Sequence, residues 1–151
     1  MAASMRNRIL LVISMIVTGC GGSTSGPEEL LRAWVDEMEY AAEDKDRGAM
    51  LEKISGNYAD ARGNSRKDIG DTLLVYFLRQ QKVTVLSTID QITVSDDTAA
   101  QLRLTVAMAG TNDGEFGLSA DAYRFDLELE KVNAEWLLIG ARWGELGHDL
   151  R

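Results

Sequence analysis

Tyr123-Arg124-Phe125-Asp126-Leu127-Glu128-Leu129-Glu130 alternates strictly between apolar and charged side chains. Successive side chains of an extended strand point to opposite faces, so this run is a strand with one face against a core and the other in water. The flanking sequence carries the same period. Val83 and Val85 open a strand that runs to Ile89, and Ile92 and Val94 resume it on shifted parity. One extra residue near Asp90-Gln91 produces that shift, which predicts a β-bulge and a bend. Ser95-Asp96-Asp97-Thr98 is a turn, and Leu102, Leu104, Val106 and Met108 share one face of a second strand. Gly110 to Ala120 reads as a long Gly-rich loop. Val132-Asn133-Ala134 turns the chain into a last strand, Glu135 to Trp143.

Upstream of Gln81 the period is helical. Pro27, the only proline, suits a first helical position. Leu30, Trp34 and Met38 recur at i, i+4 and i+8, with Leu31 and Val35 beside them, while Glu28, Glu29, Asp36, Glu37 and Glu43 fill the other face to about Asp44. Asp46 is an N-cap for a short second helix with Met50, Leu51 and Ile54 inward. Ser55 to Asn64 is polar and loses periodicity, as a loop does. Ser65-Arg66-Lys67-Asp68 has the form of a capping box, with Asp where Glu or Gln is usual. It opens a third helix with Ile69, Leu73, Leu74, Phe77 and Leu78 as its apolar face, ending near Gln81.

Three helices followed by an antiparallel meander of about four strands make an α+β layout, with the helices on one face of the sheet. The layout and the bend near Asp90 resemble the nuclear transport factor 2-like (NTF2-like) fold, a cone in which a curved sheet wraps helices around a central pocket. Further likeness lies in Ile54-Ser55, Tyr58, Asp60, Gly63-Asn64, Arg66 and Tyr76-Phe77. It continues in Ala107-Met108-Ala109-Gly110, the run from Asp121 to Leu129, Glu135-Trp136 and Ala141-Arg142-Trp143. From about Pro27 to Gly144 the chain is similar to a group of bacterial envelope lipoproteins of this superfamily, which also holds ketosteroid isomerase-like and polyketide cyclase-like (SnoaL-like) enzymes.

The N-terminus sets location. Arg6 and Arg8 precede an apolar run, Ile9 to Val17, and small residues lead to Cys20, the only cysteine. This is the form of a secretory signal peptide. The run is about half of the roughly 20 residues that a membrane-spanning helix needs. Val17-Thr18-Gly19-Cys20 resembles the lipobox of bacterial lipoproteins, which implies cleavage before Cys20 and three acyl chains on that residue, enough for a stable anchor. The rival is an ordinary secretory peptide followed by a buried Cys. Gly21, where an Asp would imply retention in the inner membrane, points to the outer membrane. The expected organisation is a signal peptide over 1–19, lipidated Cys20 and a tether over 20–26, an NTF2-like domain over 27–147 and a tail over 148–151. A six-residue tether reaches on the order of 14 Å, so the domain sits close to the membrane.

The whole chain of 151 residues has a formal charge of −8, and removing a signal that holds Arg6 and Arg8 and no acidic residue takes it to −10. Such a domain is repelled by phosphate backbones, which argues against nucleic acid as a partner. With Cys20 lipidated no thiol remains, which excludes a disulfide, a Cys nucleophile and a thiolate metal site. His148, the only histidine, lies in the terminal tail. A tight zinc site and a Ser/His/Asp triad are therefore not expected, and no cofactor is implied. Asn112-Asp113-Gly114-Glu115 has calcium-compatible ligands without EF-hand spacing and reads as a turn.

Isomerase-type chemistry in this fold needs a carboxylate base facing a donor that stabilises an enolate oxygen. Tyr58-Ala59-Asp60 is similar to the stretch before the catalytic segment of the enzymes, but Ala61-Arg62-Gly63-Asn64-Ser65-Arg66 replaces the apolar strand that carries their carboxylate. Asp60 is the substitute base, with Tyr58, Tyr76 or Tyr123 as donor. Its structural alternative is a brace of the loop through Arg62 or Arg66, which would keep it charged. Trp34, Tyr58, Asp60, Tyr76, Tyr123 and Trp143 are candidate pocket residues, and Trp136, Phe77 and Phe125 share their core periodicity.

The leading expectation is thus a non-catalytic, lipid-anchored module facing the periplasm that binds an apolar small molecule or an envelope protein. The second is an isomerase, dehydratase or cyclase using Asp60. A homodimer through the outer sheet face is the third, and Arg124, Asp126, Glu128 and Glu130 make that face charged, which disfavours a dry interface.

Overall fold

The switch from helical to two-residue period falls between Arg79 and Lys82. In a computed structural model that describes residues 25–111 and 118–151, the helices are α1 (Pro27–Glu43), α2 (Arg47–Glu52) and α3 (Arg66–Arg79). The strands are β1 (Lys82–Asp96), β2 (Ala99–Thr111), β3 (Leu118–Val132) and β4 (Glu135–Glu145). They form one antiparallel sheet in the order β1-β2-β3-β4. The helices cover the concave face of this curved sheet, with α1 packed along β1. The α+β cone is the expected architecture. Cys20, the tether up to Thr24 and the stretch Asn112-Asp113-Gly114-Glu115 lie outside the described residues.

The local signals act as their chemistry dictates. Pro27 opens α1, and Glu28 and Glu29 lie in its first turn. There they face the positive end of the helix dipole. The Asp46 side chain accepts the Ala49 amide at 2.9 Å. Ser65 and Asp68 close a reciprocal capping box at the start of α3. Asp90 is the extra residue between Ile89 and Gln91 in the β1–β2 pairing, so the bulge sits where the parity shifts. Ser95 is likewise extra between Val94 and Asp96, and a third irregularity leaves Ile139 extra between Leu138 and Gly140 of β4. Asn133 and Ala134, at φ of 50° and 68°, make the tight β3–β4 turn, a left-handed pair whose twist matches the hairpin.

Four expectations are corrected. The ends of the stretch expected as loop are strand, because Ala109, Gly110 and Thr111 pair with Ala120, Ser119 and Leu118. Small residues hide alternation from view without weakening the backbone ladder. The stretch after α2 is irregular but runs along the edge of β4. Ser55 N donates to Leu138 O at 2.9 Å, Ala59 N to Ile139 O at 3.1 Å and Ala61 N to Ala141 O at 3.0 Å. Glu43 does not face solvent: its Oε1 accepts the Val85 amide at 2.9 Å, and Glu39 Oε2 accepts that of Ser87 at 2.9 Å. Leu30, Leu74 and Leu78 are exposed rather than inward; on α3 it is Ile69, Leu73, Tyr76 and Phe77 that face the core.

Both sheet edges are therefore partly covered, β1 at Val85 and Ser87 by carboxylates of α1 and β4 by irregular chain, which shortens the unpaired rows that invite strand addition. The last residues continue the cover. Trp143 N donates to Arg151 O at 3.1 Å and Arg151 N to Trp143 O at 3.2 Å, so the tail lies back on β4. On the convex face Arg103 and Arg142 both reach Asp126, at 2.8 and 3.6 Å. Among the described residues, every buried apolar residue of the core lies between Leu31 and Ala141, in one contiguous cluster that residues 25–151 carry by themselves.

Candidate functional site

The core is not filled evenly. At one end Leu31, Ala100, Leu102, Leu129 and Trp136 are all at most 4% exposed and pack together. Toward the other end α1 and α3 stand off the sheet and leave a cavity of about 400 Å³. Its wall combines Trp34, Val35 and Met38 of α1, Leu73, Tyr76 and Phe77 of α3, and inward positions of all four strands. A volume of this size suits one small organic ligand.

Five of the six residues picked out in the sequence meet here: Trp34, Tyr58, Tyr76, Tyr123 and Trp143. Phe77 and Phe125 join them, whereas Trp136 belongs to the packed end. The rings of Tyr123, Phe125 and Trp143 form one cluster, with centroids 6.0 to 6.3 Å apart. Offset and edge-on rings at such spacing attract through their quadrupoles. The strands supply them at alternate positions, and the phenol of Tyr123 gives the apolar wall a polar edge.

Asp60 is the sixth, and it is not part of this wall. It borders a separate, more polar depression of about 340 Å³, lined also by Asp126, Arg103 and Arg142. Its Oδ1 accepts the amides of Arg62 at 2.9 Å and Asn64 at 2.8 Å, and Oδ2 accepts Asn64 Nδ2 at 2.8 Å. Burial pushes this carboxyl up, but the bonds from Asn64, Arg62 and the Trp143 side chain outweigh it and leave the pKa below the ordinary value. Asp60 braces the loop, though not through a guanidinium. Arg66 instead donates to Leu51 O and Ile54 O at 2.8 to 3.1 Å. Arg62 lies over the Trp143 ring, 3.5 Å from its centroid, and donates to Trp143 O at 3.1 Å.

The polar groups of the cavity were not foreseen as a set. Glu39 and Asp121 both line it. Asp121 shares strand parity with Tyr123 and Phe125, which is the signal that could have found it. Burial, then the Asp121 charge, pushes up the pKa of Tyr76 and of Tyr123. Burial, then Asp60, raises Tyr58 to about 12. All three phenols thus remain protonated donors near neutrality. Among the described residues no group of three or more His, Cys, Asp or Glu could hold a metal ion. No described helix is long and apolar enough to cross a membrane. His148 is exposed at the chain end, 3.8 Å from Glu145.

No protein-family model matches the sequence, and no curated protein matches it either. Solved structures do match in shape. A protein assigned as a scytalone dehydratase from Novosphingobium aromaticivorans superposes with a TM-score of 0.69 at 11% identity, covering 82% of this chain and 89% of that one. One assigned as a dehydratase of the NTF2-like family from Streptomyces avermitilis gives 0.67 at 11% identity, with 80% and 97% covered. A ketosteroid isomerase-like protein from Erwinia carotovora atroseptica gives 0.64 at 15% identity, with 82% and 100% covered. At these identities the likeness speaks for architecture, and with the helices, meander and cavity described above it establishes that the chain has the NTF2-like fold.

Proposed function

We propose that this chain is a lipid-anchored, periplasm-facing protein that binds one small, largely apolar molecule in the cavity of its cone. The observation that carries this reading is the cavity itself: about 400 Å³ walled by aromatic and aliphatic side chains at the end where the core is left open. Apolar burial supplies the affinity, and the phenols of Tyr58, Tyr76 and Tyr123 supply orientation. Anchoring rests on the lipobox-like Val17-Thr18-Gly19-Cys20. A general-base role for Asp60 has less behind it, because the carboxylate borders a different depression and its hydrogen bonds keep it a weak base.

Native mass spectrometry of residues 25–151 purified from a periplasmic fraction is the direct test. A discrete extra mass released by heating is the expected result, and its identification names the ligand. A bare mass, together with no saturable binding of small aromatic probes, would remove the binding reading and leave a protein-interaction role. For the anchor, Cys20→Ser should move the full chain from the membrane to the soluble fraction. Continued attachment after normal signal cleavage would refute lipidation.

A further inference from the structure

Two charged side chains reach the cavity wall, Glu39 and Asp121, and both are acidic. Glu39 is already engaged, since its Oε2 accepts the Ser87 amide. The Asp121 carboxylate has no hydrogen bond and no ion pair among the described residues. It stands near enough to Tyr76 and Tyr123 for its charge to be felt by both phenols. Tyr123 is in turn edge-on to Trp143 at 6.0 Å and tilted against Phe125 at 6.3 Å. Asp121 is exposed, so this carboxylate stands at the solvent edge of the cavity beside the aromatic rings, without a counter-ion in the wall. The cation beside this cluster, Arg62, is stacked on Trp143 and is not part of the wall.

We propose that the ligand is an apolar molecule bearing a single ammonium group, protonated or quaternary, with the cation seated on Asp121 among the Tyr76 and Tyr123 rings and the apolar body toward Trp34 and Phe77. A carboxylate binds a cation through charge, and the ring faces add their negative quadrupole to the same potential. A ligand carboxylate in this place would meet two acidic side chains of the wall, opposed only by Arg62, whose charge reaches Tyr123 from outside the wall. An uncharged ligand gains the apolar burial alone. The inference rests on the cavity being a ligand site and adds the chemical class of what fills it.

The test uses three probes of one shape, 1-naphthylmethylamine, 1-naphthylmethanol and 1-naphthoate, titrated by calorimetry into residues 25–151 and into Asp121→Asn near neutral pH. The amine should bind about tenfold more tightly than the carboxylate, with the alcohol between them. In Asp121→Asn the amine should fall to within about twofold of the alcohol, whose own affinity stays put. The substitution removes a charge without removing a bond that holds the fold, so an unchanged melting temperature accompanies it. A carboxylate that binds as well as the amine, or an amine preference that survives Asp121→Asn, overturns the assignment of charge while leaving the apolar site intact. If none of the three binds, both this inference and the ligand-binding reading fail.

Discussion

The two ends of the cone are made from the same strands and behave differently. Leu102 and Leu129 at one end are 2% and 1% exposed, while Met108, Tyr123 and Phe125, further along the same two strands, are only partly buried and face the cavity. Alternation along the strand is equally regular at both ends. The difference lies opposite the sheet. Leu31 of α1 meets the strands at the packed end, whereas α1 and α3 together span the open one. A period-two pattern therefore tells which side chains point inward, and the distance to the covering helices tells whether they meet one another or enclose a space.

Truncation should separate the two ends most clearly. Leu129→Ala should cost about 2–5 kcal/mol in urea unfolding, because a fully packed site cannot collapse onto the void. Leu73→Ala, which enlarges a space already present, should cost less than about half of that. Equal losses would mean that the open end is as tightly packed as the closed one.

The next effect is alkaline and belongs to the cavity end. Tyr58 has its pKa raised from 10.0 to about 12, so the fold favours the neutral phenol. Its contribution is complete below pH 10 and is lost as pH rises through about 12. Two units correspond to about 2–3 kcal/mol. Wild type should lose that much stability across this window, and Tyr58→Phe should lose markedly less in the same pH series. Parallel curves for the two proteins would remove Tyr58 as the cause.

The smallest effect concerns Asp60, which the structure sets apart from the cavity. Its pKa is lowered in the fold, so it stabilises above its unfolded value near 3.8 and that contribution is lost as pH falls through the folded value. Asp60→Asn should cost about 1–2 kcal/mol at neutral pH by setting an amide against the donors of Asn64 and Trp143, and it should flatten the acid limb of the stability curve. Probe affinity should be unchanged. An unchanged melting temperature with lost binding or turnover would instead make Asp60 a functional residue.

Much of this was legible from the residues. Strict alternation from Tyr123 to Glu130, the parity shift at Asp90 and the Ser65–Asp68 cap are local signals, and local physics honours them. Trp34 and Tyr123 could be placed together because each lies on the apolar face read for its own element, whereas Tyr76 stood outside the face read for α3. Residues whose role depends on a distant partner were not legible. Glu39 and Glu43 look like solvent-facing helix residues, yet they accept amides of β1 more than 40 positions away. Asp121 stood just outside the strict alternation that begins at Tyr123, directly after the stretch read as loop.

Periodicity, caps and turn chemistry in the chain determine which elements form and which faces turn inward, because these depend on neighbours within a few residues. The two β1 amides that Glu39 and Glu43 accept, the removal of Asp60 from the cavity and the open volume beside a packed core were decided only in three dimensions. Each is a matter of how far apart two already formed elements come to rest, and no spacing along one segment encodes that distance.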